Sequence, residues 1–438
     1  LPVARPGWIP ALPSRGERRR WALAQFATAA LLIVTVLAIW LSFRPDQKAG
    51  PPVGGTATPL APTPVTGDGP SAAVYRGGAA RTGVSPGPGL PNPPVERWTF
   101  APNTTHTDPV VADGLVYTIT GNGDLVAVDA LTGRQRWRRD TDVVGDAIAP
   151  PLVTGGVLYA GLPDGTFYAL DAGDGAVRWQ YPAGDVSCGS PALVEGVVYG
   201  AEGCDMPGTP GGAVFALDAA TGREFWRVTI DDGRITTPAV AAGMVFLGAG
   251  GPTYSHGYPT FLRAFDAATG QERWAVEVGG IQSAPAVVDG TVYVGSDRGL
   301  WAVATSDGSV RWHAHVGRDD ADVAAPPAVA VGLVFVVSND GYLYAFDAGT
   351  GEPSWTFHPK GFYHLSTAAP TVVDGVVYFG SEAGDLFAID AATGAQRWRL
   401  RLGPEHIIAT APTIVDGVLY LSARALIALA EPPATPAT

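Results

Sequence analysis

Residues 215–226 read FALDAATGREFW: an apolar run, a short acidic residue, a Thr-Gly pair, and then a run that carries tryptophan. Strands favour aromatic and apolar alternation, and glycine accepts the positive φ of a tight turn, so the phrase spells strand, turn, strand. It recurs. An alanine stands ten residues before a tryptophan at Ala127/Trp137, Ala169/Trp179, Ala216/Trp226, Ala264/Trp274, Ala302/Trp312, Ala345/Trp355 and Ala388/Trp398. A fixed period of this kind marks a repeat architecture.

A second phrase precedes each of these: proline, four residues, glycine, two residues, then an aromatic. It occurs eight times, starting at Pro109, Pro151, Pro191, Pro238, Pro285, Pro327, Pro370 and Pro412. In PTVVDGVVYFG (370–380) an Asp-Gly pair between β-branched runs is a strong hairpin signal. The two phrases together supply four short strands, A to D, in about 42 residues, which is the arithmetic of a propeller blade. Eight starts predict an all-β, eight-bladed β-propeller with docked tryptophans. The eighth start runs into ALIALA (425–430) and stops without a tryptophan, whereas Trp98 stands in VERWTF eleven residues before Pro109. The N-terminal strand is expected to complete the last blade and leave no bare edge.

Only 16% of the 438 residues are charged, and no long run outside the N-terminus has a helical period. The net charge is −13. An acidic body of this kind is poorly suited to phosphate backbones, which sets nucleic acid aside. Residues 21–43, WALAQFATAALLIVTVLAIWLSF, carry no charge and are long enough for a membrane-spanning helix. Arg15, Arg18, Arg19 and Arg20 outweigh Arg44 and Lys48, so residues 1–20 are expected in the cytoplasm and everything after the helix outside it. A cleaved signal peptide is the alternative. Residues 44–72, rich in Pro, Gly and Thr, read as a flexible spacer before a folded domain at 73–438. The expectation is a single-pass membrane protein with a monomeric, extracytoplasmic propeller.

Within the repeats, Trp98, Trp137, Trp179, Trp226, Trp274, Trp312, Trp355 and Trp398 are expected to lie flat between neighbouring blades, with Ala and Gly making room. Asp129, Asp171, Asp218, Asp266, Asp347 and Asp390 precede turns and suit backbone N–H groups better than Ca²⁺. Function is sought where the repeat breaks. The distance from the strand B aromatic to the strand C alanine is eight to ten residues in six blades, but 17 and 18 in blades three and four. The insertions span 201–213 and 248–261, and the second carries Tyr254, His256 and Tyr258, which suggests recognition of a partner or of a cell-wall polysaccharide. Cys188 and Cys204 flank the blade-three hairpin and favour a disulfide in an exported chain. The segments before each inner-strand proline bring His106, Asp108, Asp146, Arg234, Gln282, Asp322, His364 and His406 to the channel mouth, a mixed polar ring of the kind that forms ligand pockets. The run RDDADV, with Asp319, Asp320 and Asp322, reads as a solvated acidic turn before a cation site. No P-loop, nucleophile elbow, HExxH or CxxC occurs.

These phrases, with YRGGAARTGVSPGPG (75–89) before the first strand, resemble the repeats of the pyrroloquinoline-quinone-type (PQQ) β-propellers, over about residues 73–438. That superfamily includes the quinoprotein alcohol dehydrogenases and the assembly lipoprotein BamB. The resemblance implies one of two roles: a non-catalytic scaffold binding other envelope proteins or a cell-surface ligand, without cofactor, or a PQQ- and Ca²⁺-dependent dehydrogenase. The enzymes hold PQQ between an indole and a disulfide of adjacent cysteines. Here the cysteines lie sixteen apart, and Trp301 is the one loose candidate for the indole. The scaffold is the preferred reading; under the other, Asp322, Asp146 and Arg234 would be the residues of interest.

Overall fold

The computed structural model describes residues 75–101, 107–141, 149–184, 189–203, 211–231, 234–250, 260–280, 283–317, 322–359, 368–403 and 406–432. The expected anchor at 21–43, the spacer, both cysteines and the tips of both insertions lie outside them. Among the described residues no helix is long and apolar enough to cross a membrane.

Eight antiparallel sheets follow one another along the chain. Blade four illustrates the plan. Ala239–Ala241 is the inner strand A, Met244–Gly250 strand B, Thr260–Asp266 strand C and Glu272–Glu277 the outer strand D. The A–B turn places Ala242 and Gly243 at φ 51 and 71, the two consecutive positive values of a tight primed hairpin. Burial follows position: strand B is almost wholly buried, strand C has buried and half-buried residues, and strand D has exposed and half-buried ones. The last blade is closed from the other terminus, since Val95–Phe100 pairs antiparallel with Leu426–Ala430.

Each repeated Ala lies directly opposite its Trp across strands C and D, as with Ala264 and Trp274, and a bulge follows immediately. The bulge turns the indole out of its own sheet. Trp226 then lies over the Thr-Gly turn of blade four, where a Cβ on Gly270 would come within 2.7 Å of the ring. Its Nε1 donates to Ala267 O at 2.9 Å, and the Tyr199 hydroxyl donates to the same carbonyl at 3.2 Å. Trp98, Trp137, Trp179, Trp274, Trp312 and Trp355 repeat the arrangement on Gly133, Gly175, Gly222, Gly308, Gly351 and Gly394. The floor on which each indole lies is thus the next blade's glycine, while the alanine is its partner within the blade.

Trp398 departs from the pattern. Blade eight takes its outer strand from the N-terminus and so has no Thr-Gly turn to offer. Leu90 fills the place: its carbonyl accepts Trp398 Nε1 at 2.8 Å, its N–H donates to the Tyr378 hydroxyl at 2.7 Å, and its side chain is buried.

The turn aspartates are spent on the turns. Oδ1 of Asp129, Asp218, Asp266, Asp347 and Asp390 each accepts a threonine N–H and hydroxyl three residues on. Arg273 and Arg397 add charged bonds to Asp266 and Asp390, and together these donors hold both carboxyls down at about 2.

Candidate functional site

An inner strand pairs on one side only, so the N–H of its middle residue points into the channel. In blades four to seven the chain's own N-terminal segment meets these groups. Val240, Val287, Val329 and Val372 donate to the carbonyls of Ala79, Ala80, Thr82 and Gly83 at 2.8 to 2.9 Å. Ser85 N–H returns a bond to Val372 O, and Val84 forms a parallel bridge with Val372. Residues 79–85 therefore run across the lumen as a plug, satisfying backbone that would otherwise need water. Small residues allow the approach: at Gly83, φ 73, a Cβ would stand 2.6 Å from that of Ala328.

Two arginines of this segment enter the interior. Arg81 is fully buried, and its guanidinium donates to the carbonyls of Ser190 and Pro191 in blade three, Pro238 in blade four, and Tyr75. Burial lowers it to about 10, so it stays charged at neutral pH. Arg76 donates through Nη2 to Pro327 O of blade six at 2.6 Å. Both residues adopt left-handed φ, 53 and 57, at about 1–2 kcal/mol each for a side chain with a Cβ, and the carbonyl contacts hold them there. Arg76 also lines a cavity of about 20 Å³ with Tyr75, Asp108, Thr371 and Thr413, room for about one water. Among the described residues its Nε and Nη1 have no hydrogen-bond partner.

Of the expected mouth residues, four are described. Asp108 lies at the inner seam of blades one and eight, where its Oδ1 accepts Ala411 N–H at 2.8 Å. Burial pushes its carboxyl up to about 6, against the pull of that N–H and of Arg76. Asp322 exchanges bonds with Asn339: its N–H donates to the side-chain oxygen and its carbonyl accepts the N–H. His406 approaches Ala423 O through Nδ1 at 3.3 Å. Arg234 begins a two-residue strand, Arg234–Ile235, that pairs with Gly250 and Ala249, while Ile235 N–H reaches Gly203 O. That short strand ties together the bases of the two insertions, so Arg234 stands between them. The contacts given for the four are with different partners. His106, Asp146, Gln282, His364, Tyr254, His256, Tyr258, Cys188 and Cys204 lie outside the described residues.

Trp301 is not in the channel. It sits in strand C of blade five (Gly299–Ala304), stacked on His313 with centroids 3.9 Å apart, and its Nε1 donates to Ser296 Oγ. Sequence reasoning missed Arg76 and Arg81, although the segment that holds them, YRGGAARTG, was visible as a departure from the repeat; two arginines amid glycines and alanines ahead of the first strand were the available signal.

The family model described as outer membrane protein assembly factor BamB matches residues 95–206, 189–256 and 260–430. Over 104 residues the chain is 39% identical to serine/threonine-protein kinase AfsK of Streptomyces griseus, a stretch that makes up 22% of this chain and 13% of the kinase. Over 112 residues it is 36% identical to outer membrane protein assembly factor BamB of Burkholderia pseudomallei, 25% of this chain and 29% of that one. The matched stretches thus span less than a third of either relative. Among solved structures, BamB of Moraxella catarrhalis superposes with a TM-score of 0.61 at 20% identity, over 79% of this chain and 99% of that one. Quinohemoprotein alcohol dehydrogenase of Comamonas testosteroni does so with a TM-score of 0.67 at 16% identity, over 84% and 82%. At these identities the likeness is one of fold. Because the family model follows the blades through most of the chain, this protein belongs to the family of outer membrane protein assembly factor BamB, among the PQQ-type β-propellers.

Proposed function

We propose that this protein is a membrane-tethered, extracytoplasmic propeller that acts without chemistry as a binding or assembly scaffold for other envelope proteins. The observation that carries the reading is the plug. Four successive inner strands spend their lumen-facing N–H groups on the chain's own residues 79–83, and two buried arginine side chains fill the space beside them. What remains for recognition is the outside, above all the rim of blades three and four. There Arg234–Ile235 braces the bases of both insertions, giving two adjacent loops a rigid common footing.

The residues present do not fit PQQ. Trp301 is committed to His313 in strand C, the cysteines are not adjacent, and the lumen at the depth of the inner strands is occupied by residues 79–85. The test uses the full chain, crosslinked in native membranes and recovered with its neighbours, alongside a chain in which both insertions are shortened to the eight-to-ten-residue spacing of the other blades. Envelope proteins captured by the first and lost from the second support the scaffold. Alcohol-dependent dye reduction after addition of PQQ and Ca²⁺ would overturn it.

A further inference from the structure

Arg76 and Arg81 bring two guanidinium groups into one lumen, and they are not equally met. Arg81 donates to four carbonyls. Arg76 is 7% exposed and donates through Nη2 to Pro327 O, while its Nε and Nη1, also buried, have no hydrogen-bond partner among the described residues. A guanidinium keeps its proton in a protein even where burial lowers its pKa, so both idle N–H groups carry positive charge. A buried charged donor without an acceptor is costly, and the cavity that Arg76 lines is where an acceptor can stand.

The walls of that cavity come from around the ring. Asp108 stands at the entry of blade one, Thr371 in strand A of blade seven (Thr371–Val373), Thr413 in strand A of blade eight (Thr413–Val415), and Tyr75 and Ser85 in the N-terminal segment. Part of the lining is already spent. Thr413 Oγ1 donates to Pro109 O, and Asp108 Oδ1 accepts Ala411 N–H. Tyr75, pushed up to about 12 chiefly by burial, stays a neutral phenol, and the Arg81 guanidinium lies over its ring at 5.1 Å. Among the described residues two guanidiniums thus stand against one carboxyl. The group carries one positive charge in excess with Asp108 ionised, and two with it protonated.

We propose that this cavity binds one monatomic monovalent anion, chloride being the common one, together with a proton on Asp108. Arg76 sets the sign: a water can accept from Nε and Nη1 but brings no charge to offset theirs, whereas an anion does both. The volume sets the size. A cavity of about 20 Å³, with room for about one water, admits a halide and is too small for sulfate or phosphate. Asp108 sets the condition, because its carboxylate repels an anion in the same cavity until it is protonated, after which its O–H can donate as well. The groups that face it are Arg76 and Tyr75 from the N-terminal segment and the Ala411 N–H from blade eight. Its carboxyl titrates at about 6, so the site is open at pH 5 and largely closed at pH 7.5. Proton and anion both come from solvent and together add no net charge. Bound there, the ion ties the idle side of Arg76 to the ring, as Arg81 is tied to blades three and four. The site does not depend on the scaffold reading, since it concerns the lumen and not the rim.

The experiment follows chloride line broadening by NMR as the full chain is titrated with sodium chloride, sodium gluconate holding the ionic strength constant. Only the protonated form binds, so apparent affinity scales with its fraction, about 0.9 at pH 5 and about 0.03 at pH 7.5, and chloride should bind roughly thirtyfold more tightly at pH 5. Arg76→Met should abolish this binding. The decisive variant is Asp108→Asn, which keeps an oxygen for Ala411 N–H and is neutral at both pH values. It should bind chloride at pH 7.5 as tightly as the natural chain does at pH 5, a gain that misfolding does not produce. Binding that Arg76→Met leaves unchanged would overturn the proposal, as would an Asp108→Asn chain that gains none at pH 7.5. Absence of binding by every form would overturn it too and leave the cavity to a water. Displacement of chloride by an equal concentration of sulfate would overturn the assignment to a monatomic ion.

Discussion

Gly270 and Gly243 offer a controlled test of tryptophan docking. Both belong to blade four, with φ of 72 and 71, so replacing either by alanine imposes the same backbone cost, about 1–2 kcal/mol for a Cβ in the left-handed region. They differ in what the new methyl meets. At Gly243 nothing lies within 4 Å; at Gly270 it would stand 2.7 Å from Cδ2 and Cε3 of Trp226. Carbon atoms are comfortable at about 3.5–4.0 Å, so the indole must retreat by most of an ångström. That strains a seam in which Trp226 is nine-tenths buried, and it stretches the bond from Nε1 to Ala267 O. Overpacking adds about 1–3 kcal/mol and the lost hydrogen bond about 1 kcal/mol. Gly270→Ala is therefore expected to destabilise by roughly 3–6 kcal/mol and Gly243→Ala by roughly 1–2, read as shifts in the urea midpoint followed by tryptophan fluorescence and far-UV circular dichroism. Adding Trp226→Leu to Gly270→Ala should return part of the loss, because the clash then has no partner. Equal destabilisation by the two single variants would refute the view that the turn glycine is kept for the indole.

Leu90→Ala should cost about 2–5 kcal/mol, the range for a buried leucine, and should expose Trp398, seen as a red-shifted fluorescence component that the same change at an exposed position such as Leu131 does not produce. Arg81→Met removes the donor to four carbonyls, three of them from blades three and four, and should destabilise by about 3–5 kcal/mol, with faster amide exchange at Val240 and Val287 as the plug loosens. For Asp108 the folded pKa, about 6, lies above the ordinary 3.8, so its contribution is fully present below pH 4 and is lost as pH rises through 6; the shift corresponds to about 3 kcal/mol. Asp108→Asn keeps an oxygen for Ala411 N–H and should remove that slope from a stability profile between pH 4 and 7. Asp266 and Asp390, held down at about 2, act in the opposite sense, and stability lost as pH falls from 4 toward 2 should shrink in Asp266→Asn.

What could be read in advance was whatever the repeat wrote more than once. Blade number, strand order and the tryptophan positions follow from spacing, because eight copies of one local solution average out the ambiguity of any single strand. The exceptions have a common physical origin: each lies where the repeat leaves a group unmet and something distant in sequence meets it. Blade eight has no Thr-Gly turn, and Leu90 takes its place across a separation of 308 residues from Trp398. The inner strands leave N–H groups facing the lumen, and residues 79–83 meet them from outside the repeat altogether. Alignment of the copies by eye finds the residues that agree. The functional content of a repeat protein sits in the disagreement, and Leu90 shows why that is harder to read: a leucine ahead of the first strand is unremarked until the indole it receives is known to come from Trp398, 308 residues away.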